Sequence, residues 1–122
     1  MVTSPKTVWD LKEGGVYFLL LRDGNTDTDT WNNMKIDEDR RKYNNCFLTE
    51  EEADMELLRR ESRAKAWMPE EGDVFWSIDS KGRSYDSIWE GDNIDIMYFH
   101  NGHTHKTKDE SIEWGKKYGK AF

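Results

Sequence analysis

FLTEEEAD, residues 47–54, and HKTKDESI, residues 105–112, each spell a threonine followed three positions later by a glutamate. That spacing is the signature of a capping box. The threonine hydroxyl accepts from first-turn amides, and the glutamate carboxylate reaches back to the amide of the cap. The two boxes lie 58 positions apart, Thr49 over Thr107 and Glu52 over Glu110. Sliding the chain against itself by that interval aligns Trp9 with Trp67, Glu13 with Glu71, Gly14 with Gly72 and Val16 with Val74 without a gap. It also aligns Gly24 with Gly82, Trp31 with Trp89, Ile36 with Ile94 and Asp37 with Asp95. The coincidences fall on turn glycines, aromatic anchors and helix caps, as a duplicated structural unit requires.

Each copy then reads the same way. VYFLLL (16–21) is apolar and β-prone, RDGN (22–25) supplies a turn at Asp23-Gly24, and TDTDTW (26–31) alternates like a return strand. VFWSI (74–78), DSKG (79–82) and RSYDSIW (83–89) repeat the pattern. A third strand is expected near 34–36 and, more clearly, over NIDIMYF (93–99), where Ile94, Ile96 and Tyr98 alternate. The boxes start helices predicted over Glu50–Ala64, burying Ala53, Leu57 and Leu58, and over Lys108–Tyr118. Glu50 to Glu52 at the start of the first helix, and Arg59, Arg60 and Arg63 at its end, suit the helix dipole.

The expected fold is therefore α+β. It consists of two tandem repeats, each a small antiparallel sheet of two or three strands followed by one α-helix. The first repeat covers 1–65 and the second 66–122. A module of that size is near the lower limit for folding alone, so the two are expected to pack as one compact unit. Trp9, Trp31, Trp67 and Trp89 recur in both copies and are expected in the core. Trp76 and Trp114 replace Phe18 and Glu56 and are expected on a contact surface.

Composition narrows the function classes. Of 122 residues 35% are charged and only 35% hydrophobic, a balance that leans towards disorder. Six Trp, five Tyr and five Phe argue instead for a small folded core of rings. The formal charge of −7 favours a basic partner and opposes phosphate backbones and anionic lipid, so neither direct nucleic-acid binding nor membrane contact is expected. Cys46, alone in the chain, excludes an internal disulfide and suits a reducing compartment. No apolar run reaches membrane-spanning length, and MVTSPK (1–6) lacks the apolar core of a signal peptide, so a cytoplasmic location is expected.

His103 and His105 alternate on an extended chain and would project to one side, with His100 across a turn, as metal ligands can. The first copy has YNNCF (43–47) at this place and no histidine, so neither a metal nor a cofactor is expected of the shared fold. DGNTDTDTWNNM (23–34) imitates a calcium loop at Asp23, Asn25, Asp27 and Asp29. Thr28 stands where that loop needs glycine, and Met34 where it needs a bidentate glutamate. No phosphate-binding glycine loop, nucleophile elbow or zinc-protease helix is spelled out, and Cys46 has no base beside it. A non-enzyme is expected.

WMPEEGDVFWSIDSKG (67–82), Trp89, Asp95, TKDE (107–110) and NNCFLTEEEA (44–53) together resemble a family of small phage and prophage proteins of Gram-positive bacteria. The second copy departs from the pattern at GHTHKTKDES (102–111), and the first has Leu11 where Pro69 lies. The resemblance implies a phage-type gene, and such genes often encode inhibitors of host defence, anti-CRISPR proteins among them. It implies no catalytic residues. The function expected is an inhibitor acting through an acidic surface on a basic, nucleic-acid-handling host protein, such as a CRISPR nuclease or another defence factor. Its contact residues would be Asp27, Asp29, Asp37, Glu38 and Asp39 in the first copy, with Asp86, Glu90, Asp92 and Asp95 in the second, beside Trp76 and Trp114. The alternatives are a small-ligand or nucleotide-sequestering module with aromatic pockets between the repeats, a weak nucleic-acid binder, and a virion accessory protein.

Overall fold

The computed structural model describes residues 5–122. The reading of MVTSPK as lacking a leader falls, for residues 1–4, outside the described residues. The elements run β1 (Val16–Leu20), β2 (Thr26–Thr30), α1 (Lys35–Lys42), α2 (Glu50–Ala64), β3 (Val74–Ile78), β4 (Ser84–Ile88), α3 (Asn93–His100) and α4 (Lys108–Tyr118). Single 3-10 turns occupy Val8–Asp10 and Gly119–Ala121. The fold is α+β, with two tandem units that each place helices after a two-stranded antiparallel hairpin.

The duplication extends to the backbone. β1 and β2 pair with Val16 opposite Thr30, and β3 and β4 with Val74 opposite Ile88, which is the same register. Phe18 bridges Phe47 just as Trp76 bridges His105. The described residues with positive φ also fall into pairs: Gly14 and Gly72, Gly24 and Gly82, Asn33 and Gly91, Asn44 and Gly102. Both capping boxes form. The Thr49 and Thr107 hydroxyls accept from the Glu52 and Glu110 amides at 3.1 and 3.2 Å. The glutamates reach one residue further back than expected, to the amides of Leu48 and Lys106 at 3.3 and 3.0 Å.

Residues 93–99, expected as a strand, form helix α3, and Met34–Ile36, expected likewise, runs into helix α1. The alternation of Ile94 and Ile96 misleads because both are exposed. The inward residues are Asp95, Tyr98 and Phe99, at helical spacing. Two carboxylates start this helix. Asp92 accepts from the Asp95 amide at 2.9 Å, and Asp95 folds back to accept from the Glu90 and Gly91 amides at 2.8 and 3.1 Å.

The chain divides into the compact units Met1–Leu57 and Leu58–Phe122, so the division falls inside α2 rather than after it at 65/66. The last turns of α2 belong with the second unit through specific bonds. Ser62 Oγ donates to the Asn101 carbonyl at 3.0 Å and accepts from the Trp114 indole at 2.7 Å. Arg59 donates to the Ala121 carbonyl at 2.7 Å.

In the first unit Leu11, Tyr17, Leu19, Trp31 and Cys46 form one buried cluster, and Leu20, Phe47 and Ala53 another, which Phe18 and Leu57 flank. α2 buries Ala53 as expected, but also Glu56 and Ser62, while Leu57 and Leu58 are only half-buried. In the second unit Phe75 meets Trp89 edge-on at 5.7 Å, and Trp114, Tyr118 and Ala121 are buried with them. Three buried hydroxyls, Ser77, Thr104 and Ser111, replace Leu19, Cys46 and Ala53. Of the tryptophans expected inside, Trp31 and Trp89 are buried and Trp67 is half-buried. Trp9 is 65% exposed, because its ring stacks on the Arg41 guanidinium (4.6 Å) instead of entering the core. Among the described residues no helix is long and apolar enough to cross a membrane.

Candidate functional site

Several nominated acidic residues turn inward. Asp37 is buried: its carboxylate accepts from the Tyr17 hydroxyl at 2.6 Å and from the Asn32 and Met34 amides at 2.9 and 3.3 Å. Burial works against its charge, but these three donors outweigh burial and hold the carboxyl below the ordinary range. Arg40 donates both to the Tyr17 oxygen (2.8 Å) and to Asp29 (2.6 Å), so strand β2 is fastened to helix α1. That bond, with the Thr30 amide, also keeps Asp29 low, while burial and the bond to Asp37 push Tyr17 up to about 12. Asp95 is the buried counterpart of Asp37. Asp29, Asp37 and Asp95 are therefore braces of the fold and not free contacts, a correction to the sequence reading.

In the second unit the fastening is uncharged: the Tyr85 hydroxyl donates to that of Tyr98 at 2.8 Å. Of the other acidic candidates Asp27, Glu38, Asp86, Glu90 and Asp92 are exposed, and Asp39 is half-buried. The charge is unevenly divided. Residues 1–57 carry seven Lys and Arg against thirteen Asp and Glu, whereas 58–122 carry eleven against twelve.

The tryptophan candidates also move. Trp76 is half-buried in β3, and Trp114, expected on a contact surface, is only 8% exposed with its indole N–H on Ser62. Trp114 instead walls a groove of about 650 Å³ within the second unit, between the β3–β4 turn and α4. Ile78, Ile112 and Phe122 supply further apolar walls, and Asp79, Ser80 and Lys116 stand among the lining residues. The His103 ring lies 4.1 Å from Trp114 and 4.8 Å from Phe122. No sequence motif marks this groove. The one local signal is Gly115, a glycine inside the Lys108–Tyr118 helix.

His103 and His105 both lie against Trp114, while His100 is exposed at the end of α3. Among the described residues no three His, Cys, Asp or Glu side chains are arranged to hold a metal. Burial, with a smaller push from His105, lowers His103 to about 4, and burial lowers His105 too. Their Nε2 atoms are buried without a hydrogen-bond partner. Cys46 is buried and its thiol is pushed up to about 11 by desolvation, the opposite of what a nucleophile needs. α3 exposes Ile94, Ile96 and Met97 where α1 has Ile36, Glu38 and Asp39, an apolar face that the strand reading hid.

No family model, no curated protein and no solved structure matches the chain.

Proposed function

We propose that the chain is a non-enzymatic binding protein whose first unit docks, through an acidic surface, on a basic protein surface of the kind that handles nucleic acid. The carrying observation is the charge division, seven basic against thirteen acidic residues in the first unit. Asp37 and Glu56 are buried and hydrogen-bonded inside the unit, and the half-buried Asp29 is bonded to Arg40. Exposed acidic positions remain, among them Asp27, Glu38, Glu50, Glu51 and Asp54. A surface of one sign steers a partner of the other, raising association rates and making them salt-sensitive. Inhibition of a host defence factor, such as a CRISPR nuclease, in the bacterial cytoplasm is the form of this function that the phage-type resemblance favours.

The test is capture of a partner from lysate of the host bacterium, followed by binding kinetics at low and high ionic strength. Asp27→Lys combined with Glu38→Lys should slow association roughly tenfold and flatten its salt dependence. Asp86→Lys combined with Glu90→Lys, in the nearly neutral second unit, should change it less. Unaltered kinetics in the first pair would end the proposal.

A further inference from the structure

The two units are each other's control for reading the groove. Ile78 corresponds to Leu20, Gly82 to Gly24, Trp114 to Glu56 and Gly115 to Leu57 at the repeat interval of 58. In the first unit the Leu57 side chain packs on the cluster of Leu20, Phe47 and Ala53. Its Cδ1 lies 4.0 Å from where a Cβ on Gly24 would stand. An isobutyl group therefore fills the corner between hairpin turn and helix.

The second unit keeps the corner and withdraws the group that fills it. Gly82 retains its positive φ of 79°, Ile78 still lines the floor, and Gly115 presents no side chain. Nothing in the backbone demands glycine there. The three heavy atoms nearest to a Cβ on Gly115 all belong to the Ile78 side chain, at 3.4 to 3.7 Å, which is ordinary contact. Glycine inside a helix weakens it relative to any residue that could fill the space. Meanwhile Glu56 has become Trp114, and Phe122 adds a second ring, so the hollow has ring walls.

We propose that this groove binds a small uncharged molecule with an aromatic or branched-aliphatic body, its apolar part occupying the place that Leu57 fills in the first unit. A volume of about 650 Å³ is ordinary for such ligands. The charged lining groups are already matched. Asp79 accepts from the Lys81 and Arg83 amides and from the Arg83 guanidinium, all within 3.0 Å, and Lys116 pairs with Glu113 at 3.4 Å. His103 contributes a neutral ring at pH 7. The floor therefore favours hydrocarbon and ring faces over a formal charge.

The test is a nuclear magnetic resonance titration of the whole chain with indole and, separately, with N-acetyl-leucinamide. At least one probe should give saturable shifts at the Gly115 amide, the Trp114 indole N–H and the Ile78 and Ile112 methyls. Gly115→Leu refills the corner and should abolish them, and Gly115→Ala, adding one methyl at contact distance, should weaken binding several-fold. An amide spectrum unchanged away from α4 verifies that each variant is folded. Absence of saturable shifts with both probes, or equal shifts in Gly115→Leu, overturns the proposal. No partner protein enters the experiment, so its outcome is independent of the docking surface on the first unit.

Discussion

At three matching buried sites the first unit has the apolar Leu19, Cys46 and Ala53, whereas the second has the hydroxyls of Ser77, Thr104 and Ser111. Those hydroxyls bond to the carbonyls of His103, Trp67 and Lys108, so they are not stranded. The backbone tolerates the exchange because its path is set elsewhere, by positive-φ turns, capping threonines and the Asp37 and Asp95 braces. What differs between the units is what occupies the frame. That difference moved charge to the first and opened a groove in the second.

The largest expected effect comes from one left-handed position treated differently in the two units. Gly102 has φ 75°, and a Cβ there would run into the Ser62 backbone carbonyl, which cannot swing aside as a flexible side chain could. Gly102→Ala should cost about 3–5 kcal/mol in urea denaturation. Asn44, with φ 59°, already carries a side chain, which donates to Glu56 at 3.1 Å. Asn44→Ala should cost only about 1–2 kcal/mol. Equal losses would mean that the Ser62 carbonyl does not approach Gly102 as closely as this geometry implies.

Acid should separate the units next. The folded second unit holds His103 neutral, down to about 4 from an ordinary 6.5, so the unfolded chain takes up the proton first. This stabilisation is complete above pH 6.5 and is lost as pH falls towards 4; His105, also lowered by burial although Glu110 opposes the shift, adds to it. The loss is on the order of 2 kcal/mol, at about 1.4 kcal/mol per pKa unit and allowing for partial exposure. In the first unit the depressed Asp37 stabilises above its ordinary 3.8 and fails only as pH falls below it. The Trp89 indole resonance should therefore change at a higher pH than that of Trp31. The reverse order would contradict the assignment of the buried histidines.

The smallest effect is a gain. Gly115→Leu restores the side chain that the first unit has at Leu57 and should stabilise by about 1 kcal/mol, from helix propensity and apolar burial together. A loss on thermal or urea denaturation would show that the groove cannot accept an isobutyl group as its counterpart does.

The hairpins, both long helices with their bounds and the duplication were legible in the chain because each depends on residues a few positions apart. Helix α3 was not. Its alternating isoleucines imitate a strand, and the deciding bonds run from Asp95 to amides on the preceding loop. The acidic candidates differ in burial for a related reason. Nothing in the local sequence tells Asp37 under a tyrosine from Asp27 in solvent, since Tyr17 lies a hairpin away.

By itself the sequence determined the repeat, the two-stranded hairpins, the capped helices and the acidic balance, all written in local hydrogen-bond grammar and composition. Only the tertiary structure decided which carboxylates are braces, that Trp114 faces inward, and that a glycine in α4 opens a groove. Burial is a property of neighbours distant in sequence. Gly115 becomes informative only when Ile78 and Gly82 are brought beside it.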